Sequence, residues 1–545
     1  MRSLRLGFRL IARRRRLAVV LVGLLAFVGS AGLTVFLGVP APMGHDEFSY
    51  LLAADTFAHG RLTNPTHPLW EHFESPHVIH QPTYASKYPP GQGMILAVGE
   101  LFGHPIVGVW LSMGLACAAI CWMLQGWLPP RWALFGGLLA VSQLVFFGRA
   151  HAIGALAYWS QSYWGGAVAA CGGALLFGAL RRLVRQPRVG HAVMMGLGLL
   201  LLANSRPFEG LVVSLPAAAV LLGWMLSRHG PPWRISLTRV VLPLGLAAVV
   251  IAGTAVVYNL RVTGDPLLMP YELHERQYGV APIFLWQPPR PEPTYNHVAL
   301  RDCHIGWELD WYLKQQSLLG WALMSVGKAK LFIKFFLGSA VMMFPWIALG
   351  WVLRNGWMRL ALLTCGLLAV ALIQVTFAFP HYEAPITCLI FVLAVQGMRQ
   401  VRLWSWRGQP LGRFIIDAVP VVCLATLAVS FWGMRDSDPN ADHQRRAEMQ
   451  ARLSRDGGKH LVVVRYGEKS SYDCWVYNAA DIDGSPVVWA REMDREHNRR
   501  LLAYFHDRRV WLLDTDTQPA TLVPYREDYP LERGAGGICG SHRPH

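Results

Sequence analysis

Residues 13–50 read RRRRLAVVLVGLLAFVGSAGLTVFLGVPAPMGHDEFSY. Four arginines lead into an apolar run at 17–39, and an acidic pair, Asp46-Glu47, follows soon after it. About 20 apolar residues suffice to cross a bilayer as a helix. Basic residues before a span and acidic ones after it set its direction, because cytoplasmic segments collect Lys and Arg. The run is long, has no clear A-x-A cleavage site and is followed by more runs of its kind. It reads as a retained first helix rather than a signal peptide.

Ten further apolar runs follow, at about 104–126, 131–149, 160–181, 189–204, 207–227, 238–259, 331–353, 358–379, 383–398 and 412–432. Composition agrees with a membrane chain. Of 545 residues, 53% are hydrophobic and only 15% charged, against roughly 25% charged in soluble domains. If the spans alternate with the N-terminus inside, the inner segments and their flanks hold 21 basic residues and no acidic ones, from Arg2 to Arg413. That bias accounts for the net charge of +16, so the charge does not point to nucleic acid.

Three segments then lie outside: a loop at 40–103, a loop at 260–330, and the tail 433–545. The tail has 35 charged residues in 113, twice the chain's share. It carries strand-like runs at 461–464, 486–489 and 510–513, with a helix-like stretch at 494–505 between the last two. The expected organisation is therefore an all-α polytopic membrane domain, 1–432, of about 11 transmembrane helices. A small C-terminal α/β domain, 433–545, follows it outside.

Nine cysteines are present. Six fall in spans, where small apolar side chains are ordinary. Cys474 and Cys539 both lie in the tail and are the candidate disulfide pair. His67, His72, His77 and His80 are spaced five, five and three apart, which follows no metal signature, and there is no CxxC.

Chemistry concentrates in the first loop. Gly44-His45-Asp46-Glu47-Phe48-Ser49-Tyr50 places two acids at the water interface, opening an interfacial helix. The plain alternative is a helix start whose acids complement the dipole. Ser86-Lys87-Tyr88-Pro89-Pro90-Gly91-Gln92-Gly93 is a rigid turn before a second apolar helix. A lysine so held can meet a phosphate as a point charge, or simply snorkel. By topology, Arg206, Glu209, His381 and Tyr382 also sit at outer ends of spans, where ionisable groups are costly unless solvated, paired or used. Arg206 and Glu209 are spaced as a helical ion pair. The loop 260–330, rich in Pro and aromatics, reads as a membrane-hugging loop or a lid. Lys328, Lys330 and Lys334 are expected at the outer mouth of the eighth span.

The order of these pieces resembles the membrane glycosyltransferases of the GT-C fold. The nearest branch is the protein O-mannosyltransferase-like group that includes the lipid A aminoarabinose transferases. The likeness covers about 1–400 and is strongest over 40–105, with support at Ser205-Arg206-Pro207-Phe208-Glu209 and Phe379-Pro380-His381-Tyr382-Glu383-Ala384-Pro385. The resemblance implies transfer of a sugar from a polyprenyl-phosphate donor to a hydroxyl of a glycan, lipid or protein acceptor, with inversion, on the outer face of a prokaryotic inner membrane. Asp46, then Glu47, would be the general base. Lys87 and Arg206 would bind the donor phosphate. Tyr88, Glu209, His381 and Tyr382 would line the cavity. No metal or other cofactor is expected. The rival reading is a transporter or flippase, which favours internal repeats and midplane charges. No repeat is visible here.

Overall fold

The structure is a computed structural model that describes residues 2–147, 157–228, 230–433, 442–467, 474–517 and 519–526. The chain forms two compact units. One comprises Met1–Pro40, Ile106–Ala255 and Ser325–Asp436; the other comprises Ala41–Pro105, Val256–Met324 and Ser437–His545.

The first unit is helical. Among the described residues, nine helices in the chain are long and apolar enough to cross a membrane, or ten if a bent pair counts as one span. Gly166–Arg185 and Ala384–Val401 are the most enclosed, whereas Trp233–Thr263 is almost wholly exposed. On the last of these Leu242, Leu246, Val249 and Val257 face outward, as a lipid-facing helix requires. Close helix approach depends on small residues, as is usual in membranes. A Cβ on Gly173 would collide with the carbonyl of Pro385.

One expected span differs in its bounds. The fifth, expected at 189–204, is the short helix Val189–Ala203, about 22 Å long at 1.5 Å per residue. The eighth, expected at 331–353, is instead Leu318–Leu337 followed by Ala340–Val352, bent by 102°. The break falls at Gly338-Ser339, where the Ser339 hydroxyl accepts from Met342 N and starts a new helix. Lys328, Lys330 and Lys334 therefore lie within a helix rather than ahead of one. Lys328 Nζ donates to the carbonyl of Val375.

The second unit is built on the tail. His460–Arg465 pairs in parallel with Val487–Arg491 on one side and Arg509–Asp514 on the other; Thr521–Pro524 adds antiparallel to the last. Asp494 caps the helix Arg495–Tyr504, its side chain accepting from two backbone N–H groups. The central strand is apolar at its four inner positions, 461–464, because both faces are covered. Val462 and Val464 pack with Leu453, Trp475 and Trp489. Leu461 and Val463 pack with Tyr477, Leu501 and Phe505, and with Phe48, Leu52, Phe73 and Tyr84 of the first loop. The expected partition cut the chain at 432/433. The structure gathers the two outer loops with the tail, and the first loop supplies apolar side chains to that face of the sheet. Cys539, half of the candidate disulfide, lies outside the described residues.

Candidate active site

The acidic pair sits at the start of the helix His45–Ala58, with Gly44 as an extended N-cap. The two acids have different surroundings. Glu47 Oε2 accepts from the backbone N–H of Met43 at 2.9 Å and of Gly44 at 3.3 Å, satisfying donors that a helix start leaves open. Asp46 turns to side chains instead. Its Oδ1 accepts from the Tyr88 hydroxyl and lies 2.5 Å from His77 Nδ1.

The KYPPG turn holds Tyr88 and Lys87 in place. Pro89 caps and Pro90 opens the helix Pro90–Leu101, where proline's fixed φ is an asset. Gly93 lets this helix press on the first; a Cβ there would lie 2.6 Å from Ala53 Cβ. The buried Lys87 ammonium is 3.4 Å from Glu275 Oε1 and 4.8 Å from the centre of the Tyr271 ring.

His77 is the hub. Its φ is +63°, an unusual conformation for a residue with a Cβ and one that marks functional sites. The Ser49 hydroxyl donates to its carbonyl at 2.7 Å, and its own N–H donates to His274 Nε2 at 3.2 Å. Its Nε2 is 3.7 Å from Glu308 Oε1, and Glu308 Oε2 is 2.7 Å from His304 Nδ1. The tail contributes too: Tyr477 Oη is 3.0 Å and Cys474 Sγ 3.1 Å from His45 Nδ1.

The charges follow from this packing. Burial pushes the Asp46 carboxyl up, but the charge and hydrogen bond of His77, with Tyr88 and Lys87, outweigh it and hold the group well below the usual range. Burial and Lys87 push His77 down, while Asp46 and Glu308 carry it above its ordinary value. Burial, then His77, pushes His45 down to about 3. Glu308 resists burial and is held low by His304 and His77. The site thus favours the anion of Asp46 and the cation of His77, and a buried lysine lies in the same unit.

Arg206, Glu209, His381 and Tyr382 form a second group, within the membrane unit. Arg206 precedes the helix Pro207–Leu226. Its guanidinium is 4.0 Å from Glu209 and 4.3 Å from the centre of the Tyr382 ring. His381 is buried, with Nδ1 2.6 Å from the Tyr158 hydroxyl, and its ring packs against Trp164 and Phe379. Asp46, Glu47, Lys87 and Tyr88 belong to the other unit.

Sequence reading missed His77, His274, His304 and Glu308 as site residues. Their one local signal was a cluster of histidines and acids in loops of otherwise apolar character. Among the described residues, no group of three or more His, Cys, Asp or Glu is arranged to hold a metal ion.

The chain is similar to ArnT from Cupriavidus metallidurans in the apo state, with a TM-score of 0.47 and 14% identity over 90% of this chain and 92% of that one. It is similar to the same protein bound to undecaprenyl phosphate, with a TM-score of 0.47 and 14% identity over 91% and 92%. A third likeness is to the Archaeoglobus fulgidus oligosaccharyltransferase, with a TM-score of 0.46 and 10% identity over 90% and 67%. No protein-family model matches the chain, and no curated protein does. With TM-scores below 0.5, the functional reading rests on the residues themselves.

Proposed function

We propose that the protein is an integral-membrane glycosyltransferase. It moves a sugar from a polyprenyl-phosphate donor to a hydroxyl acceptor outside the membrane. Asp46 takes the proton as the acceptor oxygen attacks the anomeric carbon. The bond from that carbon to the phosphate oxygen breaks, and the lipid phosphate leaves with the electron pair. A single displacement of this kind inverts the anomeric centre. Lys87 stabilises the charge growing on the leaving phosphate. Arg206, Glu209, His381 and Tyr382 are assigned to the donor within the membrane unit. The cations present supply the charge that the leaving group needs, so the reading calls for no metal. Membrane lipids surround the enzyme, the N-terminus is cytoplasmic and the tail extracytoplasmic; nucleic acid plays no part.

The observation that carries this reading is the buried Asp46–His77–Tyr88 cluster, with Lys87 next to Tyr88 in the chain and Lys87 Nζ within 3.4 Å of Glu275. The test uses the purified protein in detergent with labelled polyprenyl-phosphate sugars. It reads donor binding, transfer, and the anomeric configuration of the product by NMR. Transfer with inversion is expected. A retained configuration overturns the single displacement, and a protein that neither binds nor consumes any such donor is not this enzyme.

The charge pattern sets a pH dependence. Below its raised pKa, His77 is a cation beside Asp46 and keeps it a weak base. Above it, the cation is gone and Asp46 gains basicity, as a general base near neutral pH needs. The limb of kcat/KM that rises with pH should therefore have its midpoint above 6.5, the ordinary histidine value. The other groups facing His77 are Tyr88, Lys87, His45, His274 and Glu308. In His77→Asn, a residue that tolerates positive φ, that limb should move or vanish. An unchanged limb would assign the titration to another group.

A further inference from the structure

A cleft of about 330 Å³ opens within the second unit, on the face of the helix His45–Ala58 that carries Phe48, Leu52 and Asp55. Six of its lining residues decide its character: Phe48, Asp55, Glu100, Arg446, Tyr477 and Trp489. We infer that this cleft binds a saccharide unit of the acceptor. This inference rests on the transferase reading and extends it by giving the tail a role.

The cleft is connected to the base by one side chain. Tyr477 stacks on Phe48 at 4.3 Å between ring centres, while its hydroxyl is 3.0 Å from His45, the residue before Asp46. One helix, His45–Ala58, therefore carries the base at its start and the cleft wall at Phe48 and Asp55. An acceptor seated there lies along the element that bears Asp46.

Its lining suits a sugar. A pyranose offers flat C–H faces to aromatic rings and a rim of hydroxyls to polar groups. Phe48, Tyr477 and Trp489 supply rings, and Asp55 and Glu100 supply carboxyls. Glu100 Oε2 is buried without a hydrogen-bond partner. Burial and Asp55 push this carboxyl up to about 7, so near neutral pH it can donate to a hydroxyl or accept from one. Arg446 does not tip the cleft toward anions. Its guanidinium already donates to the carbonyls of Trp475 at 2.9 Å and Tyr477 at 2.8 Å, and it lies over Phe48 and Trp489. With its cation committed and two carboxyls present, the cleft disfavours phosphate headgroups and acidic peptides. Its volume is at the low end of the ~300–1,000 Å³ of small-molecule sites, which suits a sugar unit better than a long chain.

The test is direct binding by the full-length protein in detergent. An array of free, lipid-less oligosaccharides is screened, and the best binder is titrated by tryptophan fluorescence. Leu51→Trp fills the cleft from the helix side. Glu100→Gln removes the carboxyl without breaking a hydrogen bond to Oε2. Each should weaken saccharide binding at least tenfold. The inference is overturned if the wild type binds no glycan, if both cleft variants bind as well as wild type, or if the cleft variants instead abolish binding of a peptide or of anionic vesicles. The readout needs neither donor nor turnover. A wrong transferase reading would appear as saccharide binding with no transfer, and a wrong cleft assignment as transfer untouched by the cleft variants.

Discussion

Asp46→Asn should lower turnover by about 10²- to 10⁴-fold, the usual contribution of a positioned general base, with the donor dissociation constant changed by no more than a few fold. Asparagine keeps the shape and can still accept from the Tyr88 hydroxyl through Oδ1. It cannot take a proton. Single-turnover kinetics with saturating donor separate the chemical step from binding. Wild-type turnover in this variant would move the base elsewhere. Glu47 would be a poor substitute as it stands, because its Oε2 is engaged by the backbone N–H of Met43 and Gly44. Loss of turnover with a parallel loss of donor binding would mean that the variant disrupts the site rather than removing a base. The neighbouring imidazole sharpens the test. The rising limb of the pH profile works through the basicity of Asp46, so it should be lost from the residual activity of this variant.

Spans are legible because each is a local property of composition, and nine of the expected runs coincide with long apolar helices. The eighth was misplaced because three lysines, Lys328, Lys330 and Lys334, look like loop residues in a hydropathy window. In the structure Lys328 is tolerated within a helix because it donates to backbone carbonyls that the neighbouring helix end leaves open. Three of the four tail strands were legible within two residues, from runs such as 461–464 in which β-branched residues follow one another without alternation; Thr521–Pro524 was not expected. The helix Asp442–Arg455 was not, since it buries only a narrow side through Leu453 and Arg446 and reads as a polar stretch.

The site divides the same way. Asp46, Lys87 and Tyr88 announced themselves because each sits on a local device, a helix start or a proline turn. Their partners are set by tertiary contact: Lys87 meets Glu275 across 188 residues, and His45 meets Tyr477 across 432. No period or spacing encodes such pairs. One signal could have found His77 early. It is one of four histidines in a loop between apolar segments, and the strained φ that marks it is visible only in three dimensions.

Lys87 carries the second large expectation, and a double variant separates its two possible roles. Lys87 and Glu275 are both nearly fully buried. Removing one partner of a buried pair leaves an uncompensated charge and costs about 3–5 kcal/mol. Arg290 Nη1, 3.6 Å from Glu275 Oε2, offsets part of that cost. Lys87→Met should therefore lower thermal stability and also abolish measurable transfer, by 10²-fold or more, if its charge stabilises the leaving phosphate. Lys87→Met with Glu275→Gln removes both charges. It should recover most of the stability, because the pair is replaced by neutral groups of similar volume, but none of the transfer, with weakened donor binding remaining. Recovery of transfer in the double variant would show that Lys87 serves only to neutralise Glu275. Donor phosphate would then be held by other cations, with Arg206, the second cation assigned to the donor, the first to examine.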